Sequence, residues 1–358
     1  MLWKMGKREV AIASMKPELD SLGTQSSPAQ IEEVLKDIFD GPASALSPGA
    51  QRPADPESEL LALRRTEFNI IRHEVDNPAS NPNLRVIKTT VPSLLSPWLA
   101  RVNLVERLKE TKVFYGFDRI EQSNGSLAEM PDKAMRQLFR DPPSQPQDRW
   151  LPAVQVFGEG IYIELHEQQL LEWQNAQAAW IADRIQDGFL ARLAGVSLTL
   201  PPFSAPNHGW ASRYLMVHSL AHILINQLVF ECGYSTASLR ERLYISADPS
   251  APMAAFLIYT AAGDSEGALG GLVRLGRPER LGPIVQRAVS RASWCSADPV
   301  CSEQLGGQGS KLANLAACHG CILLPETSCE TINHGLDRAM VLGTPEDRSP
   351  GFLAGLLE

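Results

Sequence analysis

The stretch "CHGC", Cys318 to Cys321, places two thiols close together near the end of a 358-residue chain. A second pair, Cys295 and Cys301, precedes it, and sixteen residues separate the two pairs. A CxxC turn lets two thiolates reach one ion, and four thiolates suit tetrahedral zinc. Because four protein ligands leave no open position, the sequence predicts a structural zinc site that fastens the C-terminal region.

Two other interpretations of the cysteines are a redox dithiol and thiols that fill a core. A redox CxxC belongs near a βαβ pattern, and this region shows none. A structural disulfide framework is not expected from six cysteines in the reducing cytosol. Cys329 and His319 are candidate substitute ligands for zinc, whereas Cys232 is interpreted as a small core residue.

Length and composition describe an ordinary globular chain. The length allows two or three domains with cores of their own, so zinc is not needed to rescue a very small fold. Hydrophobic residues make up 44% of the chain, and the net charge of -8 gives no overall basic field for autonomous binding to nucleic acid. The opening "MLWKMGKREVAIASMK" lacks the apolar run of a secretory signal, so we expect a cytoplasmic protein.

Three proline-rich stretches divide the chain, at residues 41–56, 140–149 and 198–206. We predict an N-terminal helix from Ser27 with its linker (residues 1–56), a mixed α/β middle region (57–200) and a zinc-binding domain (201–358). The predicted fold class is mixed α+β. It is helix-rich, with short β-strands and a C-terminal four-cysteine zinc-binding domain.

Periodicity predicts the individual elements. Helices are predicted at residues 57–75, 102–110, 167–195, 215–230 and 280–294. Strands are predicted at residues 84–91, 112–120, 242–247 and 255–261, with two more around a Gly-Glu-Gly turn in 150–165. The apolar helix 215–230 is expected to be buried, because it is shorter than the roughly 20 residues of a membrane span.

His218 and His222 lie one helical turn apart, a spacing that allows two imidazoles to meet one metal. The segment reads "HSLAH" and lacks the glutamate base of HExxH. Asn226 extends the same face, so the favoured interpretation is a pair of hydrogen-bonded core histidines. The alternative is a metal-dependent nuclease or hydrolase in which both histidines act with Asp264 and Glu266 of the glycine-rich "GDSEG" loop.

The chain resembles the DrmB family of DISARM bacteriophage defence components and, in its C-terminal part, the MrfA-type zinc-binding (MZB) domain. The resemblance rests on the segments "HSLAHILI", "CGYSTASLRERLY", "IYTAAGDSEGALGGLV", "CSADPVC" and "ACHGCILLPETSCE". Weaker similarity upstream extends it to roughly residues 60–345. Members of that family are usually longer, with an additional N-terminal region that we do not expect in this chain.

The resemblance implies a non-catalytic partner of a superfamily 2 helicase in antiviral defence, with the pair engaging phage DNA. It implies zinc bound by Cys295, Cys301, Cys318 and Cys321, the same four residues that the spacing indicates. No catalytic residue and no membrane contact are expected. An accessory factor of a DNA-repair helicase is a further alternative.

Overall fold

The structure of this chain is a computed structural model. It describes residues 56–77, 79, 81–114, 145, 148, 150–196, 207–260 and 270–357. Residues Glu57–Glu358 form one compact unit. The predicted helix at Ser27 and the predicted boundary at residue 200 lie outside the described residues, so the division into three regions stays a prediction.

Nine α-helices occur in the described residues. They are α1 (Pro56–Ile71), α2 (Glu167–Ala176), α3 (Ala178–Arg184), α4 (Asp187–Val196), α5 (His208–Cys232), α6 (Gly271–Leu275), α7 (Pro278–Ala292), α8 (Val300–Glu303) and α9 (Arg338–Leu342). Short 3-10 helices lie at Ser93–Leu95, Thr236–Ser238, Ser310–Leu312, Glu326–Ser328 and Ala354–Leu356. The predicted helices at 57–75, 215–230 and 280–294 are thus confirmed as α1, α5 and α7.

Across the part of the chain that the structure describes, five antiparallel strands form one sheet in the spatial order β1-β2-β3-β5-β4. They are β1 (Leu84–Thr89), β2 (Leu99–Val113), β3 (Ala153–Leu165), β4 (Leu239–Ser246) and β5 (Met253–Thr260). Ile161 of β3 lies opposite Ile258 of β5, so strands from both sides of residue 200 share the sheet. Helices packed on both faces of this antiparallel sheet confirm the mixed α+β class.

The sheet is buried on both faces, as β5 shows most clearly. Phe256 and Ile258 belong to the main core with α5, whereas Leu257 and Tyr259 pack in a second core with Phe68 of α1. Successive side chains of a strand point to opposite faces, so a strand covered on both sides is apolar throughout. The unit therefore has three layers: α1, the sheet, and the remaining helices.

Helix α5 runs through the main core. The Asn207 side chain caps its start by accepting the N–H of Trp210 at 2.8 Å, and Gly233 ends it with a left-handed φ of 69°. By length and composition α5 could cross a membrane, but 72% of its apolar window is buried inside the protein. It is the central core helix of this fold.

The predicted helix at 102–110 is wrong, because these residues belong to β2. Val105 and Leu108 both face α1 although they are three residues apart, a spacing that imitates one face of a helix. The cause is a β-bulge: Val105 lies opposite Gly160 of β3, and Leu108 lies opposite Gly158. One extra residue in β2 shifts the alternation of its side chains.

The predicted Gly-Glu-Gly turn is also wrong, since β3 is one continuous strand. Gly158 is needed there because neighbouring backbone approaches closely: a Cβ would lie 1.9 Å from the carbonyl oxygen of Thr260. Glu159 is fully buried, and its carboxylate accepts the N–H of Gly270 at 2.6 Å. This segment therefore connects the sheet to α6.

The predicted long helix at 167–195 is divided into α2, α3 and α4. The breaks fall at Gln177 (φ -102°, ψ 15°) and at Ile185 (φ -97°, ψ 76°), whose backbone angles leave the helical region. Leu170, Ile181 and Ile185 are nevertheless buried in the main core. The apolar spacing in 167–195 thus indicates burial, but it does not reveal the two breaks in the backbone.

Replacing Gly158 with alanine is expected to lower the free energy of unfolding by about 1–3 kcal/mol, because the new methyl group overlaps the Thr260 carbonyl. Denaturant unfolding followed by circular dichroism measures this. Gly188→Ala is the matched control, since its Cβ would meet only Arg192 at 3.6 Å. This control should keep or raise stability, because alanine favours helix. Equal stability of the two variants would contradict the close approach.

Candidate metal centre

The four predicted cysteines come together from three parts of the C-terminal region. Cys295 follows α7, Cys301 lies in α8, and Cys318 and Cys321 lie in a turn. The Sγ atoms are 3.4 Å apart for Cys295 and Cys318, 3.8 Å for Cys301 and Cys321, and 3.7 Å for Cys318 and Cys321. All four lie within 4.8 Å of one another, so one ion reaches all of them.

These distances fit a zinc ion. With Zn–S bonds of about 2.3 Å, the sulfurs of a tetrahedral site are about 3.8 Å apart. All four cysteines are free thiols. The backbone N–H of Cys318 donates to Cys321 Sγ at 3.1 Å, and that of Ala297 donates to Cys295 Sγ at 3.4 Å. The donor set and its supporting hydrogen bonds are those of a structural zinc site.

A buried arginine lies beside the cluster. Arg338 pairs with Asp298, whose other oxygen accepts the backbone N–H of Cys295 at 3.0 Å. Burial lowers the pKa of Arg338, but Asp298, Cys321 and Cys301 outweigh burial and raise it. Four thiolates around one zinc leave a net negative charge, which a nearby guanidinium stabilises in a medium of low dielectric. Arg338 thus holds the loop of Cys295 in place through Asp298 and balances the negative charge of the thiolates.

The thiols differ in acidity. The hydrogen bond between Cys301 and Cys321 lowers the pKa of Cys301 to about 5 and raises the pKa of Cys321. Burial raises the pKa of Cys295 to about 11. Because metals bind the thiolate form, the hydrogen bond that stabilises a thiolate in this cluster favours cation binding.

A second buried arginine connects the cluster to α3. Arg184 forms a bidentate pair with Asp337 at 2.6 and 2.8 Å. Arg184 also donates to the carbonyl of Ser302 at 3.1 Å, and Asp337 accepts the N–H of Ala316 at 3.2 Å. Breaking a buried pair of this kind costs about 3–5 kcal/mol. Segments on both sides of the cysteine cluster are therefore fixed to the helical layer.

The predicted substitute ligands are not part of this cluster. His319 is exposed, and Cys329 is buried in a different group of side chains. Cys232 is half-buried and donates its thiol to the carbonyl of Leu228 at 2.8 Å, as suits a small core residue. The structure brings together the four cysteines first predicted, and their role as ligands stays a prediction that metal analysis tests.

The two predicted histidines are fully buried on α5. His218 Nδ1 donates to the carbonyl of Gly335 at 2.9 Å, and His222 Nδ1 donates to the carbonyl of Ile322 at 2.8 Å. These are hydrogen-bonded core histidines, as the favoured interpretation has it. Ile322 directly follows the last cysteine of the CHGC turn, so His222 also holds that turn in place.

The histidines face two residues that the sequence did not link to them. Glu241 of β4 and Cys329 join the histidines as four ligand atoms within 4.8 Å. Burial lowers the pKa of His222, but Glu241 and Cys329 outweigh burial and raise it to about 9. Asp264 and Glu266, the acid and base of the hydrolase alternative, lie outside the described residues.

A sequence signal for Glu241 does exist. Leu239, Glu241 and Leu243 alternate with Arg240 and Arg242, and a period of two puts the three on one face of a strand. All three are buried. A carboxylate between two buried leucines requires a partner inside the protein. Cys329 carries no comparable signal, because it lies between a 3-10 helix and a turn without regular periodicity.

The fold and the four-thiolate site together define a class of zinc-binding domain. Residues 220–322 match the family model of MZB, the MrfA Zn-binding domain. Cys295, Cys301, Cys318 and Cys321 all lie within the matched residues. The C-terminal part of the chain is therefore an MZB-type domain with a four-cysteine cluster suited to structural Zn²⁺.

Most of the chain is similar to the DISARM protein DrmB of Bacillus paralicheniformis (strain ATCC 9945a / NCIMB 11709 / CD-2). The two are 33% identical over 312 residues, which are 85% of this chain and 51% of DrmB. This chain is thus a homologue of DrmB, as the resemblance implied, and it spans about half the length of that relative. The similarity extends well beyond the MZB residues.

Replacing Cys318 and Cys321 together with serine is expected to remove at least one zinc per chain and to destabilise the C-terminal region. At a structural site the metal-binding energy is folding energy. Elemental analysis and thermal unfolding of the purified protein measure both effects. Cys232→Ser is the matched control, because that thiol lies outside the cluster, and it should keep its zinc. An unchanged zinc content in the double variant would contradict the ligand set.

Proposed function

We propose that this chain is a non-catalytic accessory subunit of a DISARM-like antiphage defence complex. In this role it partners a superfamily 2 helicase and helps the complex to engage DNA, with Cys295, Cys301, Cys318 and Cys321 holding a structural zinc. The observation that carries the proposal is the 33% identity to DrmB across 85% of the chain. We place the complex in the cytoplasm, where it meets phage DNA.

The chemistry of the cysteine cluster supports a structural role for the metal. Four cysteines fill a tetrahedral zinc, which leaves no position for a water molecule or a substrate. A metal held in this way fixes the surrounding loops and does not activate a nucleophile. In this role the zinc maintains the shape of the surface that the domain presents to its partner.

The hydrolase alternative is weaker on grounds of access. His218 and His222 are completely buried, and each Nδ1 is already hydrogen-bonded to a backbone carbonyl. A hydrolytic metal requires an open coordination position that water and substrate can reach. The other alternative, an accessory factor in DNA repair, rests on the MZB match alone, whereas the similarity to DrmB extends far beyond those residues.

The net charge of the chain suggests how DNA is engaged. A protein that grips DNA by itself neutralises phosphates with clustered lysine and arginine. This chain has 41 acidic residues against 33 basic ones. We therefore assign most of the phosphate contacts to the complex and not to this subunit alone.

We assign the helicase contact to apolar residues next to the zinc cluster. Trp294 and Val300 immediately precede two of the clustered cysteines, and they are 71% and 75% exposed. Phe230 is also exposed, and the guanidinium of Arg291 lies 3.9 Å from the centre of its ring. Tryptophan, phenylalanine and arginine are enriched in protein interfaces. A rigid zinc loop is a suitable support for such a surface.

Changing Trp294 and Val300 together to aspartate is expected to abolish co-purification of the helicase from a tagged native operon, because two charges replace the apolar contact. The zinc content should stay at the wild-type level, since neither residue is a ligand. Trp150→Asp, at a tryptophan that is 60% exposed in another part of the chain, is the control and should keep the helicase. Wild-type recovery of the helicase with the double variant would refute this contact surface.

The purified chain, free of helicase, is expected to show neither ATP hydrolysis nor metal-dependent DNA cleavage. Nucleotide turnover and nuclease assays with added Mg²⁺ or Mn²⁺ test this. Steady ATP hydrolysis by the isolated chain would contradict the accessory role. Cleavage that disappears in a folded His218→Leu, His222→Leu variant would instead support the hydrolase.

A further inference from the structure

Four buried ligand groups meet at a second place in the fold, separate from the cysteine cluster. His218 and His222 come from α5, Glu241 comes from β4, and Cys329 follows the 3-10 helix at Glu326–Ser328. Each offers one ligand atom, and these atoms lie within 4.8 Å of one another. A fully buried carboxylate such as that of Glu241 is uncommon unless it is paired or binds a metal.

The histidines are oriented as metal ligands are. Each Nδ1 donates to a backbone carbonyl, so each Nδ1 carries a proton and each Nε2 is left to face the cluster. A hydrogen bond from the outer ring nitrogen to a carbonyl is the usual support of a metal-bound histidine. Sulfur is supported in the same way, since the N–H of Asn333 donates to Cys329 Sγ at 3.2 Å.

The distances between the inner atoms match the edges of a coordination tetrahedron. Glu241 Oε1 lies 3.0 Å from His218 Nε2 and 3.4 Å from His222 Nε2. His218 Nε2 lies 3.3 Å from Cys329 Sγ. With metal bonds of about 2.0–2.1 Å, nitrogen and oxygen ligands of tetrahedral zinc are about 3.3 Å apart. These three distances are close to such edges and the remaining pairs of ligand atoms lie within 4.8 Å, so one ion can be placed between the four atoms.

An unpaired ligand atom and the net charge of the four groups both indicate a divalent cation. His222 Nε2, which faces the other ligand atoms, is buried and makes no hydrogen bond. Neutral histidines, one carboxylate and one thiolate carry two negative charges, which a divalent cation neutralises. Two nitrogens, one oxygen and one sulfur are ligands that zinc accepts, whereas magnesium and calcium prefer oxygen alone.

We propose that His218, His222, Glu241 and Cys329 bind a second structural zinc ion. This ion joins the central helix, the strand β4 and the segment that follows the CHGC turn. Because all four positions are filled by protein, the site has no catalytic role. A structural ion explains why two histidines lie one helical turn apart in a segment that lacks the glutamate base of HExxH.

Metal content of the full-length protein decides the proposal. Elemental analysis of wild-type protein, loaded with Zn²⁺ alone and freed of loose metal, is expected to give two zinc ions per chain. X-ray absorption at the zinc edge should then show sulfur and nitrogen or oxygen ligands in a ratio of five to three, from five cysteines, two histidines and one glutamate. One zinc per chain with a purely sulfur shell would overturn it.

Single variants assign the second ion to its ligands. Cys329→Ser and Glu241→Gln are each expected to lose one zinc and to leave an all-sulfur shell at the other. Cys232→Ser and His73→Asn are matched controls, because the first thiol lies outside both clusters and the second imidazole is exposed. They should keep both ions. If the ligand variants are folded and keep two ions, the assignment is wrong.

A variant that does not fold leaves the wild-type measurement as the deciding one. A hydrogen-bonded cluster of charged side chains without metal is the competing explanation, and it predicts one zinc per wild-type chain. Neither result depends on a helicase or on DNA. Loss of the partner interaction and loss of the second zinc are therefore distinguishable.

Discussion

The structure depends on a buried helix whose polar side chains must find partners inside the protein. Helix α5 is surrounded by the core, yet it carries His218, His222 and Asn226 along one face. Their hydrogen bonds go to backbone carbonyls of the C-terminal segment, among them those of Cys321 and Ile322. Unpaired, each buried polar group would cost about 1–3 kcal/mol. The same bonds that satisfy the helix therefore position the cysteine turn.

Sequence revealed the cysteine cluster because its signal is local. A CxxC turn needs only its own residues to be recognised, and a second pair nearby completes the donor set. The other cluster could be only half predicted. The spacing of His218 and His222 was visible, but Glu241 and Cys329 approach them through the pairing of β4 and the path of an irregular loop. Periodicity can indicate that Glu241 is buried, but it cannot indicate which distant residues lie next to it.

The wrong predictions of secondary structure have the same origin. The bulge in β2 and the close backbone contact at Gly158 are set by neighbouring strands, and each changes what the local pattern means. Helix-like spacing at Val105 and Leu108, and a turn-like Gly-Glu-Gly, were reasonable from the chain alone. Tertiary contacts overrode both. The predictions of α1 and α7 were correct because an apolar stripe is carried by the helix's own residues, and that of α5 was correct because its apolar run is continuous.

Residues 293–337, all of which the structure describes, have little regular structure of their own: α8 and two 3-10 helices. A segment like this gains few backbone hydrogen bonds, while ordering each residue costs about 1–2 kcal/mol of conformational entropy. Side-chain cross-links help to offset that cost, together with apolar residues such as Leu315, Ile322 and Leu324, which are buried in the main core. The cysteine cluster, the Arg184–Asp337 pair and the group around Cys329 are spaced along the segment, so that no long stretch of it is left unfastened. Metal coordination at the cysteine cluster suits this task, because one ion fixes four points of the chain at once.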